Sequence, residues 1–181
     1  MYLPLATGLK GAAVLLLLLI GWQDWRTRSV TWLLFPLLGV VLLGHHWLMA
    51  SSAAVGWALL VNWTILGGLL AILSLYVRLR FVRLKLRLQD CLGSGDVVFW
   101  FVAASYFSPP AFLLYFLASS LLALVAFGLL CQMRLVGPDR RVPLAGLQAV
   151  GLVLLLVCAW VNPAWSIDAG EAQFLIWAAV W

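Results

Sequence analysis

The sequence predicts an all-α, polytopic membrane protein: a bundle of about six transmembrane helices with the N-terminus outside. Of its 181 residues, 66% are hydrophobic and only 9% are charged, and the mean hydropathy is +1.11. A soluble domain of this size must cover its surface with polar side chains, and this chain has too few of them. Composition alone therefore indicates an integral membrane protein.

Six apolar stretches justify the helix count, and most of them approach the ~20 residues that cross a bilayer. The fourth stretch is short and spans only if its helix begins near Leu92, which would draw residues 93–96 into the membrane edge. We assign 1–161 to one six-helix membrane core. The tail, 162–181, is too short for a further span and is left unassigned, as an interfacial or partial helix. The stretches, in chain order, are Leu3 to Trp22, Trp32 to Met49, Ala53 to Val77, Val97 to Phe107, Ala111 to Cys131 and Leu144 to Val161.

Basic residues predict the orientation. Ten of the eleven lysines and arginines follow the first, third or fifth stretch, and Lys10 is the exception. The positive-inside rule makes these loops cytoplasmic, so we expect a multi-pass membrane protein whose two termini face outward. The positive charge fits contact with membrane lipids and does not indicate nucleic acid as a partner. The ten residues are Arg26, Arg28, Arg78, Arg80, Arg83, Lys85, Arg87, Arg134, Arg140 and Arg141.

Two acids stand at the cytoplasmic ends of apolar stretches. Asp96 closes the tetrad Gly93-Ser94-Gly95-Asp96 before the fourth stretch, and Asp24 follows the first. An acid at the edge of hydrocarbon is costly and usually marks a functional site or a paired charge. Two carboxylates in one site share a proton, so one can take a proton from water while the other hydrogen-bonds a scissile carbonyl. The pattern predicts a membrane aspartyl protease.

This hypothesis has geometric consequences. We expect the first and fourth helices to pack side by side, with the Asp24 and Asp96 carboxyls either within reach of one shared water or separated by a modest gap in the absence of substrate. Gly93 and Gly95 would permit positive φ angles and, with Ser94, a close approach of substrate backbone. By the dipoles of their own helices, Asp24 would hold the proton and Asp96 would be the base.

Each of these features, the two acids and the tetrad glycines, also has a purely structural explanation. Asp96 can be a helix N-cap, the glycines a helix contact, and Asp24 a solvated partner of Arg26 or Arg28. Two further acids, Asp90 and Asp139, lie among arginines in the loops and serve as internal controls. The joint occurrence of Asp24 and Asp96 at matched depth favours catalysis.

No metal or organic cofactor is predicted. The three cysteines form no C-x-x-C pair, and they are Cys91, Cys131 and Cys158. His45 and His46 are adjacent, so on a helix they point in different directions, which favours a structural role.

Three segments resemble the type IV prepilin peptidases and their archaeal preflagellin relatives, a family of G-x-G-D membrane aspartyl proteases. Residues 24–30, Asp-Trp-Arg-Thr-Arg-Ser-Val, are similar to the family's D-x-R-x-R-x-I-P-N segment. Residues 93–97, Gly-Ser-Gly-Asp-Val, are similar to G-x-G-D-x-K. Residues 142–151, Val-Pro-Leu-Ala-Gly-Leu-Gln-Ala-Val-Gly, resemble its I-P-F-G-P-x-L-A-x-G segment.

The resemblance implies that Asp24 and Asp96 are the catalytic pair. It further implies a multi-pass protein of the cell inner (cytoplasmic) membrane, whose partner is the leader and transmembrane helix of a prepilin or pseudopilin, cleaved at the cytoplasmic face without any cofactor. Thr31 and Trp32 replace the family's Pro-Asn, and Val98 replaces its lysine. Because no loop carries paired C-x-x-C motifs, we expect a peptidase without N-methyltransferase activity.

Two other functions are compatible with the sequence. A catalytically inactive member of the family would act as a pilus or secretion assembly factor. A small proton-coupled transporter would use the two acids as a proton relay.

Overall fold

A computed structural model describes residues 3–80, 93–132 and 144–161, and these ranges contain six helices and no strand. Four of the helices are long and apolar enough to cross a membrane; they are α1, α3, α5 and α6. The all-α class and the membrane character are thereby supported. In chain order the helices are α1 (Leu3–Thr27), α2 (Leu34–Met49), α3 (Ser52–Arg80), α4 (Ser94–Ala104), α5 (Pro109–Gln132) and α6 (Leu144–Val161).

Two helices are shorter than the bilayer requires. Helix α2 has 16 residues and α4 has 11, so α4 is only about 16 Å long at 1.5 Å per residue. The sequence predicted that α4 would span if it began near Leu92, but it begins at Ser94 after the N-cap Gly93. Within the described ranges, four of the six expected spans are long and apolar enough to cross a membrane, and α2 and α4 are shorter apolar helices.

Local chemistry sets the helix ends. Arg28 has a φ of 52°, and its N–H donates to the carbonyl of Asp24 at 3.0 Å, which closes α1 with a left-handed residue. Ser51 precedes α3 and its Oγ accepts from the N–H of Ala54 at 3.3 Å. Pro109 opens α5, where a missing N–H carries no penalty.

The packing of α6 positions the functional site. Helix α6 lies antiparallel against α1: a methyl group added to Gly21 would lie 3.6 Å from the carbonyl oxygen of Gly146, and one added to Gly11 would lie 3.8 Å from Trp160. Helix α6 also contacts α4 and α5. The start of α6 therefore lies beside the end of α1.

Large apolar side chains fill the interior and also cover the outside. Fully buried members of the core include Leu17, Phe99 and Leu152. Exposed leucines, valines and tryptophans occur along all of the long helices, a surface that suits lipid better than water.

Candidate functional site

Asp24 lies in the last turns of α1 and is only 9% exposed. Its Oδ2 accepts a hydrogen bond from the N–H of Gly146 at 2.6 Å, and the charge of the exposed Arg28 acts on it. A buried carboxylate is costly unless it is hydrogen-bonded or paired. Asp24 has both kinds of partner.

Asp96 is the third residue of α4 and is half-buried. Its N–H donates to the carbonyl of Gly93 at 3.1 Å, so Gly93, and not Asp96, is the N-cap. The Asp96 carboxyl interacts with the backbone amide of Gly93 and also reaches another helix, where its Oδ1 accepts from the N–H of Ala145 at 2.8 Å. A capping role does not account for that contact.

The two acids thus bind consecutive backbone amides, those of Ala145 and Gly146, in the first turn of α6. The first N–H groups of a helix have no partner within it, and the positive end of the dipole lies there. When the two hydrogen bonds are added to the spacing of consecutive amides, the two accepting oxygens lie within about 9 Å of each other. Asp24 and Asp96 also interact electrostatically. The N-terminus of α6 therefore gathers both carboxyls into one site.

The expectation that the first and fourth helices pack side by side is wrong. Helix α1 makes its extensive contacts with α2 and α6, and α4 makes its contacts mainly with α2, α3 and α6. Helices α2 and α6 each touch both acid-bearing helices. The carboxyls meet because each extends to the same end of α6.

The tetrad glycines have ordinary backbone angles, and what distinguishes Gly93 is that it has no Cβ. Gly93 has a φ of −66°, and no described glycine has a positive φ, so that expectation is wrong. A Cβ on Gly93 would lie 2.9 Å from Oδ2 of Asp96, whereas one on Gly95 would make an ordinary 3.7 Å contact with Phe35. Ser94 is exposed at the first helical position.

Gly146 has the same property on the other side of the site. A Cβ at this position would lie 2.9 Å from Oδ2 and 3.1 Å from Cβ of Asp24. Sequence reasoning included Gly146 in the third resembling segment but gave it no role. The close approach of a buried acid to a helix backbone explains why glycine suits this position.

The expected division of labour between the acids stays a prediction. It considered only the dipole of the helix that carries each acid. The positive end of α6 faces both Asp24 and Asp96 through the amides of Gly146 and Ala145. The surroundings of the two carboxyls are therefore more alike than the sequence suggested.

Sequence reasoning missed a buried polar group one turn deeper. Gln148 of α6 is fully buried; its Oε1 accepts from Nε1 of Trp100, and its Nε2 donates to Oγ of Ser120 at 3.1 Å. The hydroxyl of Tyr115 donates to the Gln148 carbonyl at 2.9 Å. Glutamine in an apolar stretch was the one available signal, because a buried amide needs partners.

A second polar group secures the other end of α4. Asn62 is fully buried, and its Nδ2 donates to the carbonyls of Ala104 and Phe107, both at 2.8 Å. Nδ1 of His46 lies 2.9 Å from the carbonyl of Ser105. These contacts match the structural role expected of His46, and Asn62 was not singled out from sequence.

Within the described ranges, no three His, Cys, Asp or Glu side chains come together as metal ligands. Several sequence predictions concern residues outside those ranges, namely the loop controls Asp90 and Asp139, Cys91, Val142 and Pro143, and the tail 162–181.

Comparisons with protein-family models, with curated proteins and with solved structures found no match to this chain.

Proposed function

We propose that this protein is an aspartyl endopeptidase that removes the leader peptide of a prepilin-like or pseudopilin substrate at the cytoplasmic face of the inner membrane. The observation that carries the proposal is the meeting of Asp24 and Asp96 on the consecutive amides of Gly146 and Ala145. The three segments that resemble prepilin peptidases contribute these four residues. Helices α1, α4 and α6 each supply one part of the site.

The chemistry requires one ionised and one protonated carboxyl. The ionised acid takes a proton from water as the oxygen attacks the scissile carbonyl, and the protonated acid donates to the carbonyl oxygen. The tetrahedral intermediate then collapses as the peptide nitrogen gains a proton. Each α6 amide holds one oxygen of its carboxyl, and a gap between apo carboxyls is compatible with a water between them.

The topology supports the same substrate class. By the positive-inside rule, the arginines after α1 and α3 favour a cytoplasmic location for the helix ends that carry Asp24 and Asp96, and we propose that α2 and α4 complete a six-helix membrane bundle. Asp24 and Asp96 both lie near helix ends. A substrate whose cleavage site immediately precedes its own membrane helix presents that site at this depth.

The test is processing of a co-expressed prepilin. The wild type should shorten the substrate by its leader, and Asp96→Asn should leave it uncleaved, with Asp90→Asn as the matched loop control. Uncleaved substrate with the wild type, across a panel of prepilins and pseudopilins, would favour the assembly-factor alternative. Proton-coupled uptake that is lost in Asp96→Asn would favour a transporter.

A further inference from the structure

Helices α4 and α6 are joined by two hydrogen bonds, about one helical turn apart. The first runs from the Ala145 amide to the Asp96 carboxyl at the site. The second, which we call the lower contact, lies one turn farther from the N-termini of both helices and runs from the Trp100 indole to the Gln148 side chain. Trp100 follows Asp96 by four residues on α4, and Gln148 follows Ala145 by three on α6. Residues three or four apart share a helix face, so the two contacts form a ladder between the same two faces.

The orientation of the lower contact is fixed by chemistry. An indole N–H can only donate, so the amide oxygen of Gln148 must face Trp100 and its NH₂ must face Ser120. The Trp100 ring also packs against Phe116, with ring centroids 4.9 Å apart in an edge-to-face arrangement. Both partners are buried, so a shift of α6 along α4 would leave their polar groups without hydrogen-bond partners and would be unfavourable.

We propose that Gln148, with Trp100, is a positioning residue for the carboxyl pair: it sets the register of α6 against α4 and so holds the α6 amides at Asp96 and Asp24. This inference rests on the proposed function for its catalytic consequence. Its geometric content is independent, because the register of α6 can be measured whether or not the protein cleaves a substrate. Gln148 touches neither carboxyl in the described contacts and acts through the backbone it shares with Ala145 and Gly146.

Amide exchange tests the geometry without any substrate. In ¹⁵N-labelled protein in micelles, Gln148→Met should speed deuterium exchange at the Ala145 and Gly146 amides by about tenfold or more, and exchange deep in α6, at Val157, should stay unchanged. Trp100→Phe removes the same bond from the other side and should give the same local effect. If Gln148→Met does not yield folded protein, Trp100→Phe decides the question. Unchanged exchange at Ala145 and Gly146 in a folded variant would overturn the proposal.

Cleavage kinetics test whether the position of α6 affects catalysis. Gln148→Met and Trp100→Phe should each lower kcat by about tenfold or more with little change in KM, because misplaced catalytic groups slow chemistry more than binding. The double variant should cost little more than either single one, since both remove one contact.

Tyr115→Phe is the matched control. It removes the buried hydrogen bond that the Tyr115 hydroxyl of α5 donates to the backbone carbonyl of Gln148, and it leaves both hydrogen bonds between α4 and α6 intact. An equal loss of kcat in Tyr115→Phe would show a merely structural role and contradict the proposal. If the exchange effect is present but the wild type cleaves no prepilin, the proposed function fails and the positioning role of Gln148 stands.

Discussion

The N–H of Gly146 donates to Oδ2 of Asp24 at 2.6 Å, across 122 positions of sequence. At this point the backbone of α6 lies so close to α1 that an added Cβ would fall 3.1 Å from Cβ of Asp24. A Cβ has no freedom to rotate away, so the contact cannot be relieved by a change of rotamer alone.

On the proposed function, Gly146→Ala should therefore lower processing by about 10- to 100-fold, because overpacking of about 1–3 kcal/mol would act on the Asp24 carboxyl. Gly151→Ala is the matched control: it lies on the same helix, and its Cβ would meet nothing within 4 Å. Initial rates of prepilin cleavage measure the difference. Equal rates for the two variants would show that the Gly146 to Asp24 contact is unimportant.

The two glycines of the tetrad should respond differently. In Gly93→Ala the new Cβ would press on the Asp96 carboxyl at 2.9 Å, and we expect cleavage to fall with little loss of stability, since the carboxyl can rotate. In Gly95→Ala the new contact with Phe35 is ordinary, and removing a helical glycine adds roughly 0.5–1 kcal/mol of stability. Thermal unfolding and cleavage should be measured together. A more stable but inactive Gly95→Ala would mean that substrate backbone needs the space at Gly95.

Asp24→Asn and Asp96→Asn should each reduce cleavage to background, because the dyad needs one acid and one base. An asparagine oxygen still accepts from the Gly146 or Ala145 amide, so both variants should fold and elute from a detergent column as the wild type does. Asp90→Asn should cleave at nearly the wild-type rate. Near-normal cleavage by either dyad variant would remove that residue from the catalytic role.

Asn62→Leu should destabilise the protein by about 1–3 kcal/mol for each carbonyl that it leaves unpaired at the end of α4. Thr64→Val is a suitable control, because the exposed Thr64 hydroxyl bonds only the Leu60 carbonyl of its own helix. Unfolding in mixed micelles should show the difference in free energy. Equal destabilisation by the two substitutions would contradict the capping role of Asn62.

Hydropathy predicted the helices well because each apolar run is nearly continuous. The sixth stretch and α6 share the bounds Leu144 and Val161. The first stretch ended at Trp22, but α1 continues to Thr27, since polar residues such as Gln23 do not end a helix. Helix α1 ends instead at the left-handed backbone conformation of Arg28, which the sequence pattern does not predict.

The site was only partly predictable. Charge and motif identified Asp24 and Asp96, and the structure brings both to one helix end. The amides that bind them belong to Ala145 and Gly146. Because every residue except proline has a backbone N–H, residue type does not reveal which amides make such contacts. The role of Gln148 was not predictable for a related reason, because it depends on Trp100 and Ser120, which are distant in sequence.

The shortness of α4 has a consequence for how this helix is held in place. A helix of 11 residues is too short to enter a bilayer as an independent unit. The carbonyls at its end accept hydrogen bonds from side chains of α2 and α3, and both of these helices precede α4 in the chain. The placement of α4, and with it that of Asp96, therefore depends on contacts with helices that precede it in the chain.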